Sequence, residues 1–192
     1  MHQWNLESVR LKVVKVSLGP TPWQLANVQG PRTAKVINNA KVVAARIKRK
    51  KNPILIVGPK ITREVEGKKL IDYAIEIGKT GMTIVATAHV VKEFINAGFT
   101  NVISMGLSDI SNRLRDPNWK GFKGEGKPEL ALYLGGLYYT QSQSLSALKH
   151  FSDVETISLD REYHPNADWS FPNLNPKEWK EAMDELVNLL KQ

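Results

Sequence analysis

The sequence predicts an α/β fold with a doubly wound, mainly parallel sheet, and three observations support this prediction. From about Pro53 onward, short apolar runs alternate with segments whose apolar residues recur at helical spacing. Runs such as Ile54–Val57 are apolar throughout, which is typical of strands covered by helices on both faces of a parallel sheet. The connections between these elements are short, as right-handed strand–helix–strand crossovers require.

Five strands are predicted, each followed by a residue that commonly ends a strand or begins a turn. They span residues 54–57, 82–86, 101–105, 130–134 and 154–159, and the residues that follow them are Gly58, Thr87, Gly106, Gly135 and Asp160.

Helices are predicted at about residues 33–50, 68–78, 90–95, 107–114 and 140–148, with a sixth beginning near residue 175. Gly98 is expected to end the third helix, because glycine adopts the left-handed conformation found there. Thr140 and Gln143 predict a capping box at the start of the fifth. The sequence Asn-Pro-Lys-Glu at 175–178 predicts the start of the sixth, with Asn175 as its N-cap.

We expect residues 1–192 to form a single domain, because one domain usually has about 100–200 residues. Residues 1–30 are predicted to be an irregular amino-terminal arm, which contains Trp4 and Trp23. No apolar run approaches the roughly 20 residues that cross a bilayer, and the first residues do not resemble a secretory signal. We therefore expect a cytoplasmic protein that does not contact membranes.

The chain contains no cysteine, which excludes disulfides, thiol catalysis and thiolate-bound metal clusters. Its four histidines show no ligand spacing on one helix, so a metal bound by this chain alone is not expected. They are His2, His89, His150 and His164.

The formal net charge is +8 and the isoelectric point is near 9.6. Such a charge attracts polyanions, acidic partners and phosphorylated ligands. The densest basic run, residues 48–51, is predicted to end a helix, where cations are stabilised by the helix dipole. A solvated helix end is the favoured interpretation over a binding patch. No aromatic residues are interleaved with lysines in a nucleic-acid-binding motif, so no nucleic-acid partner is expected.

A candidate cofactor site is predicted where the strands end, because ligands of open α/β sheets bind beyond the carboxyl ends of the strands. Neither a dinucleotide-binding nor a Walker glycine motif is present. The glycines could therefore serve a ligand or merely permit tight turns, and the aspartate could accept hydrogen bonds from a ribose or organise its turn through Arg161 and Glu162. The candidate residues are Gly58, Pro59, Thr87, Gly135, Gly136 and Asp160.

No catalytic residue is predicted. His89 has no partnered acid within sequence reach and is a poor general base. No G-x-S-x-G nucleophile motif is present. Tyr138 and Tyr139 could stack on a flat ligand or a partner protein, but packing at a helix edge is favoured.

Several segments in order resemble a known family, the epsilon subunits of the archaeal acetyl-CoA decarbonylase/synthase complex, also called the carbon monoxide dehydrogenase epsilon family. The likeness covers most of the chain and is strongest over 130–174, with its most specific part at 166–174. It is weakest in the loop 116–127. The matching segments include residues 30–31, 53–58, 84–87, 132–136, 138–139, 148–151, 157–160 and 163–167.

The resemblance implies a fold like the deoxyhypusine synthase-like FAD/NAD-binding domain. It also implies an accessory, non-catalytic subunit that joins the large alpha subunit, whose nickel–iron–sulfur centres interconvert carbon monoxide and carbon dioxide. The role expected for such a subunit is to stabilise the alpha subunit or to assist electron transfer to FAD. No catalytic motif is carried over. The alternative is a free-standing redox protein that binds FAD or NAD.

Two aromatic groups are candidates for the partner interface, because aromatic residues are enriched in interface cores. They are Trp4 with Trp23 in the arm, and Trp119 with Phe122 in the loop 116–127, although either could pack on its own domain. The isolated chain is expected to form a homo-oligomer, as such domains commonly do.

Overall fold

A computed structural model describes residues 32–192, which form nine strands and six α-helices. The strands are β1 (Lys35–Val36), β2 (Ile54–Val57), β3 (Glu64–Val65), β4 (Lys68–Lys69), β5 (Thr83–Ala86), β6 (Val102–Ser104), β7 (Leu130–Leu134), β8 (Glu155–Ser158) and β9 (Trp169–Ser170). The helices are α1 (Ala40–Arg49), α2 (Leu70–Gly78), α3 (Ala88–Asn96), α4 (Leu107–Arg115), α5 (Tyr138–Phe151) and α6 (Pro176–Lys191).

Seven strands form one sheet in the order β1-β9-β8-β7-β2-β5-β6, and every pair in it is parallel. The chain leaves β2 towards β5 and β6, and then returns to place β7 on the other side of β2. The direction of winding therefore reverses between β2 and β7. The predicted doubly wound, parallel α/β fold is confirmed.

Helices cover both faces of the sheet. Along β2, Leu55 and Val57 pack into the core beneath α1, α2, α3 and α6, while Ile54 and Ile56 pack beneath α4 and α5. All four side chains are buried because each face of the strand meets a helical layer. This explains why the strand is apolar throughout.

Several predicted boundaries were wrong. The first helix begins at Ala40 rather than near residue 33, because residues 35–36 pair with β9 as an edge strand. The Asn39 side chain then caps the helix by accepting a hydrogen bond from the Lys41 N–H at 2.8 Å. Likewise, Lys68–Lys69 belong to the hairpin β3–β4 and not to α2. A further strand, β9, follows β8 and was not predicted.

The helix ends were predicted with mixed success. The capping box expected at Thr140 is wrong, because α5 begins at Tyr138 and the Thr140 hydroxyl donates to the Leu137 carbonyl instead. The capping box at Asn175 is confirmed, and so is Gly98, which has a φ of +76° just after α3. No helix within residues 32–192 combines the length and the apolar character needed to span a membrane.

The turns after β2 and β7 touch at the point where the winding reverses. A Cβ placed on Gly58 would lie 2.4 Å from the Gly136 Cα and 2.7 Å from the Gly135 carbonyl oxygen. These neighbours are backbone atoms, which cannot move aside as a flexible side chain could. Gly58 is therefore required by packing.

We predict that Gly58→Ala lowers the free energy of unfolding by about 2–3 kcal/mol, because the added methyl group forces the two turns apart. Urea denaturation measures the change. Gly106→Ala is the matched control: this glycine also follows a strand, has a φ of −69° and has no atom within 4 Å of the position that a Cβ would occupy, so the loss should stay below about 1 kcal/mol. Equal losses for the two variants would contradict the packing role of Gly58.

Candidate functional site

A cleft of about 450 Å³ opens at the carboxyl ends of the strands, where the winding of the sheet reverses. One wall is a face of α4 and the other is a face of α5. The turns after β2, β5 and β7 close one end of the cleft. Its lining includes Ile56, Gly58, Pro59, Thr87, His89, Met105, Leu107, Ser108, Ser111, Asn112, Arg115, Tyr133, Gly136, Leu137, Thr140, Gln141 and Ser144.

The structure divides the six candidate residues into two groups. Gly58, Pro59, Thr87 and Gly136 line the cleft. Gly135 and Asp160 lie behind it, where the Gly135 N–H donates to the Asp160 carboxylate at 2.7 Å.

Three backbone N–H donors of the turn after β2 are already used within the protein. The Gly58 N–H donates to the Leu134 carbonyl, the Lys60 N–H to the Gly135 carbonyl, and the Ile61 N–H to the Gly58 carbonyl. A phosphate group cradled by this turn would have to replace these bonds. The turn after β2 thus closes one end of the cleft and does not present a phosphate-binding loop.

Three helix N-termini do face the cleft. Thr87, Gly106 and Leu137 are the N-caps of α3, α4 and α5, and none of these helices has a side-chain cap. Uncapped N–H groups at a helix N-terminus attract anions. The Thr87 hydroxyl is also buried without a hydrogen-bond partner among the described residues. Any anionic part of a ligand would therefore be favoured at the rim of the cleft.

The cleft floor carries a chain of hydroxyl groups that the sequence analysis missed. The Tyr133 hydroxyl lies 2.9 Å from the Ser144 Oγ, which lies 2.6 Å from the Ser111 Oγ. Ser111 also donates to the Leu107 carbonyl at 2.7 Å. Burial raises the pKa of the Tyr133 phenol to about 12, so the group stays neutral at physiological pH. These hydroxyls thus place uncharged polar groups in a cleft that is also lined by Met105, Leu107 and Leu137.

Asp160 is an ionisable group fixed inside the protein beside the cleft. Its carboxylate accepts hydrogen bonds from the Gly135 N–H and from the Gln141 side-chain amide, both at 2.7 Å. Burial nevertheless raises the pKa of this carboxyl to about 6, because desolvation outweighs the two donors. Gln141 also lines the cleft. It therefore connects the cleft wall to the buried acid.

His164 and Tyr138 complete this buried cluster. Burial lowers the pKa of the His164 imidazole to about 3, with Lys60 adding to the effect, so the ring is neutral. It stacks on Tyr138 with ring centres 4.2 Å apart, and the Tyr138 hydroxyl donates to the Tyr163 carbonyl. The favoured interpretation of Tyr138 as packing is thus confirmed. Tyr139 instead points outward and is 68% exposed.

The remaining candidates lie elsewhere. Trp119 and Phe122 pack edge to face, with ring centres 5.0 Å apart, against the core beneath α4 and α5. Trp4 and Trp23 fall outside the described residues. Within residues 32–192, no group of three or more metal-binding side chains comes together.

The raised pKa of Asp160 predicts a pH-dependent cost to stability. The folded state holds this proton up to about pH 6 and the unfolded state only to about pH 4, so the free energy of unfolding falls as the pH rises between these values. We expect wild type to lose about 2 kcal/mol relative to Asp160→Asn between pH 4 and pH 7. Urea denaturation of both proteins across this range measures the difference.

Asp160→Asn removes the titrating carboxyl group. The lowered pKa of His164 has the opposite effect, because the unfolded state takes up the extra proton as the pH falls below about 6.5. That contribution is present in both proteins, but the His164 Nε2 lies 3.8 Å from the Asp160 Oδ2, so the difference between the proteins reports the coupled pair. A difference that stays constant with pH would show that Asp160 has an ordinary pKa.

Comparisons with known proteins identify the family. Residues 17–187 match the family model described as CO dehydrogenase beta subunit/acetyl-CoA synthase epsilon subunit. A relative from Methanothrix soehngenii, named acetyl-CoA decarbonylase/synthase complex subunit epsilon, is 38% identical over 185 residues, which cover 94% of this chain and 97% of the relative. One of the same name from Methanothermobacter thermautotrophicus is 32% identical, over 86% of this chain and 93% of its own length.

A third relative, subunit epsilon 1 of the same complex from Archaeoglobus fulgidus, is 36% identical over 86% of this chain and 90% of its own length. The family model and these relatives span nearly all of the described sheet and helices. The chain therefore belongs to the CO dehydrogenase beta subunit/acetyl-CoA synthase epsilon subunit family, as the sequence resemblance indicated.

Proposed function

We propose that this chain is a non-catalytic subunit that binds and stabilises the metal-bearing alpha subunit in the carbon monoxide dehydrogenase component of an acetyl-CoA decarbonylase/synthase complex. The observation that carries the proposal is membership of the epsilon family by a chain with no cysteine. A chain without thiolates supplies no thiolate ligand for an iron–sulfur cluster. Its contribution to the complex is then made through binding.

The ionisable groups in and beside the cleft also favour a non-catalytic role. The buried acid, Asp160, is committed to Gly135 and Gln141, and the His164 ring is neutral and packed. The hydroxyl of Tyr133 has a raised pKa and no base beside it. Within residues 32–192, the cleft thus lacks a nucleophile with an adjacent base.

This proposal predicts that the chain raises the stability of the alpha subunit. A partner bound only by the folded state adds about 2.7 kcal/mol at 100 times its dissociation constant. The purified alpha subunit should therefore melt at a higher temperature, and lose carbon monoxide oxidation more slowly on heating, when the chain is added. An unrelated protein at the same concentration is the control. Separate elution of the two chains at physiological salt, with unchanged melting, would contradict the proposal.

A second proposal is that the cleft binds FAD and so assists electron transfer from the alpha subunit. The fit is supported by three features: apolar side chains within the lining, neutral hydroxyls at Tyr133, Ser111 and Ser144, and uncapped helix N-termini at the rim. The apolar side chains and the hydroxyls suit a flat ring with polar edges, and the rim suits phosphates. When bound, FAD would supply one- and two-electron redox chemistry.

The cleft also predicts how FAD binding can be blocked. FAD at about 100 times its dissociation constant should stabilise the chain by about 2.7 kcal/mol. NAD, FMN, CoA and ATP are tested separately in the same thermal assay for comparison. Asn112→Trp, on the exposed α4 wall of the cleft, should abolish the shift by filling the cleft. Asn96→Trp, at the exposed end of α3 and away from the cleft, should leave it unchanged.

Either result separates the proposals. The absence of a shift at about millimolar FAD would remove the cofactor proposal and leave the stabilising role. A FAD-dependent shift in a chain that does not bind the alpha subunit would favour the alternative, a free-standing redox protein.

Self-association of the isolated chain stays a prediction. Among the described strands, β6 ends the sheet with one side unpaired, and its Val102 and Ile103 are half-exposed. Ile95 of the neighbouring α3 is 56% exposed. An edge strand flanked by apolar side chains is a surface on which a second copy could pair.

A further inference from the structure

A second surface lies at the opposite end of the sheet from the cleft and is strongly basic. Parallel strands all begin at one edge, and the segments that precede β2, β5 and β7 bring cations to it. We call these residues the amino-edge basic patch. They are Lys48, Arg49, Lys51, Lys79, Lys120, Lys123 and Lys127.

Backbone contacts hold two of these segments together. The Asn52 side-chain amide donates to the Glu125 carbonyl at 2.9 Å and to the Gly126 carbonyl at 3.2 Å. The Lys51 carbonyl accepts from the Glu129 N–H at 3.1 Å. The lysines of the loop 116–127 are therefore fixed next to the end of α1, although some seventy residues separate them in sequence.

The carboxylates at this edge offset only part of the charge of the patch, because Glu125 and Glu129 stand against seven cations. Glu125 accepts hydrogen bonds from the N–H groups of Phe122 and Lys123, and Glu129 accepts one from the Lys51 N–H. Glu155 is engaged by Arg46 and Lys50, neither of which belongs to the patch. Within residues 32–192, no patch side chain forms an ion pair.

Helix dipoles account for only part of this arrangement. Lys48 and Arg49 end α1, and Lys79 follows α2, where a cation is stabilised by the helix C-terminus. Lys120, Lys123 and Lys127 lie in a loop and gain nothing from a helix end. Glu125 and Glu129 offset only part of the repulsion among these lysines and Lys51, and an acidic partner would relieve the rest.

We propose that the amino-edge basic patch docks an acidic surface of the alpha subunit. This rests on the proposed function, in which the chain binds the alpha subunit. A protein partner is favoured over nucleic acid because the relatives are named as subunits of an enzyme complex. Trp119 and Phe122, the aromatic residues of this loop, pack inward and are unavailable to stack on bases. Docking there leaves the cleft at the other edge open.

The test is the binding of the purified alpha subunit to three forms of the full chain over a range of salt, from about 50 to about 500 mM. The patch variant carries Lys51→Glu, Lys120→Glu and Lys123→Glu. The control carries Lys41→Glu, Lys92→Glu and Lys177→Glu, which change the net charge equally at positions outside the patch. None of these six residues forms an ion pair within residues 32–192. Circular dichroism and urea denaturation check that each variant folds as wild type does.

We expect the affinity of wild type to fall as salt rises, and the patch variant to bind at least ~10-fold more weakly at low salt with little remaining salt dependence. The control should stay within about twofold of wild type. Equal weakening of both variants would overturn the proposal in favour of net charge alone. If binding did not depend on salt and the patch variant retained it, the docking proposal would be overturned and the proposed function would stand. If wild type did not bind the alpha subunit at all, both the docking proposal and the proposed function would be removed. Tighter binding of wild type to duplex DNA than to the alpha subunit at physiological salt would also overturn the docking proposal.

Discussion

The rest of the structure depends on the backbone contact between the turn after β2 and the turn after β7. The Gly58 N–H donates to the Leu134 carbonyl at 3.0 Å, and a side chain at Gly58 would collide with Gly136. This contact lies where the winding of the sheet reverses. It fixes the distance between the ends of β2 and β7, and therefore where α5 begins and where the cleft opens. The two glycine turns thus build the site without presenting a binding loop to it.

The turn after β7 buries an N–H group that needs an acceptor, and a buried carboxylate supplies it. Gly135 has a φ of +71° and turns its N–H inward, away from solvent, where Asp160 accepts it. An unpaired buried N–H would be costly, and a buried carboxylate is costly too, as the raised pKa of Asp160 shows. The Gln141 side-chain amide donates to the same carboxylate and so reduces the free-energy cost of burying it. Because Gln141 belongs to the cleft wall, the shape of the cleft is coupled to the acid that supports the turn.

The main strands of the sheet could be predicted from the sequence, because β2 and β7 are hydrophobic runs and each predicted strand is followed by a glycine, threonine or aspartate. It did not reveal β1 and β9, since strands of two residues carry no periodicity. The hydroxyl chain of Tyr133, Ser144 and Ser111 was also invisible, because α4, α5 and β7 supply one member each. Serines spaced along a helix look like ordinary surface positions until the facing helix is placed. Strand ends could be located from sequence, but which of them meet could not.

The basic run at residues 48–51 shows how an interpretation changes when distant segments are brought together. Taken alone, it is sufficiently explained by the C-terminus of α1, and a solvated helix end is the simpler interpretation. Lys120 and Lys123 alter that judgement, because the Asn52 amide fixes their loop beside the same helix end. Natural surfaces usually intersperse charges of both signs, yet here the nearby glutamates bind backbone N–H groups or residues outside the patch. Repulsion maintained by specific backbone bonds is difficult to explain in a free monomer, and an acidic partner subunit at this edge removes the difficulty.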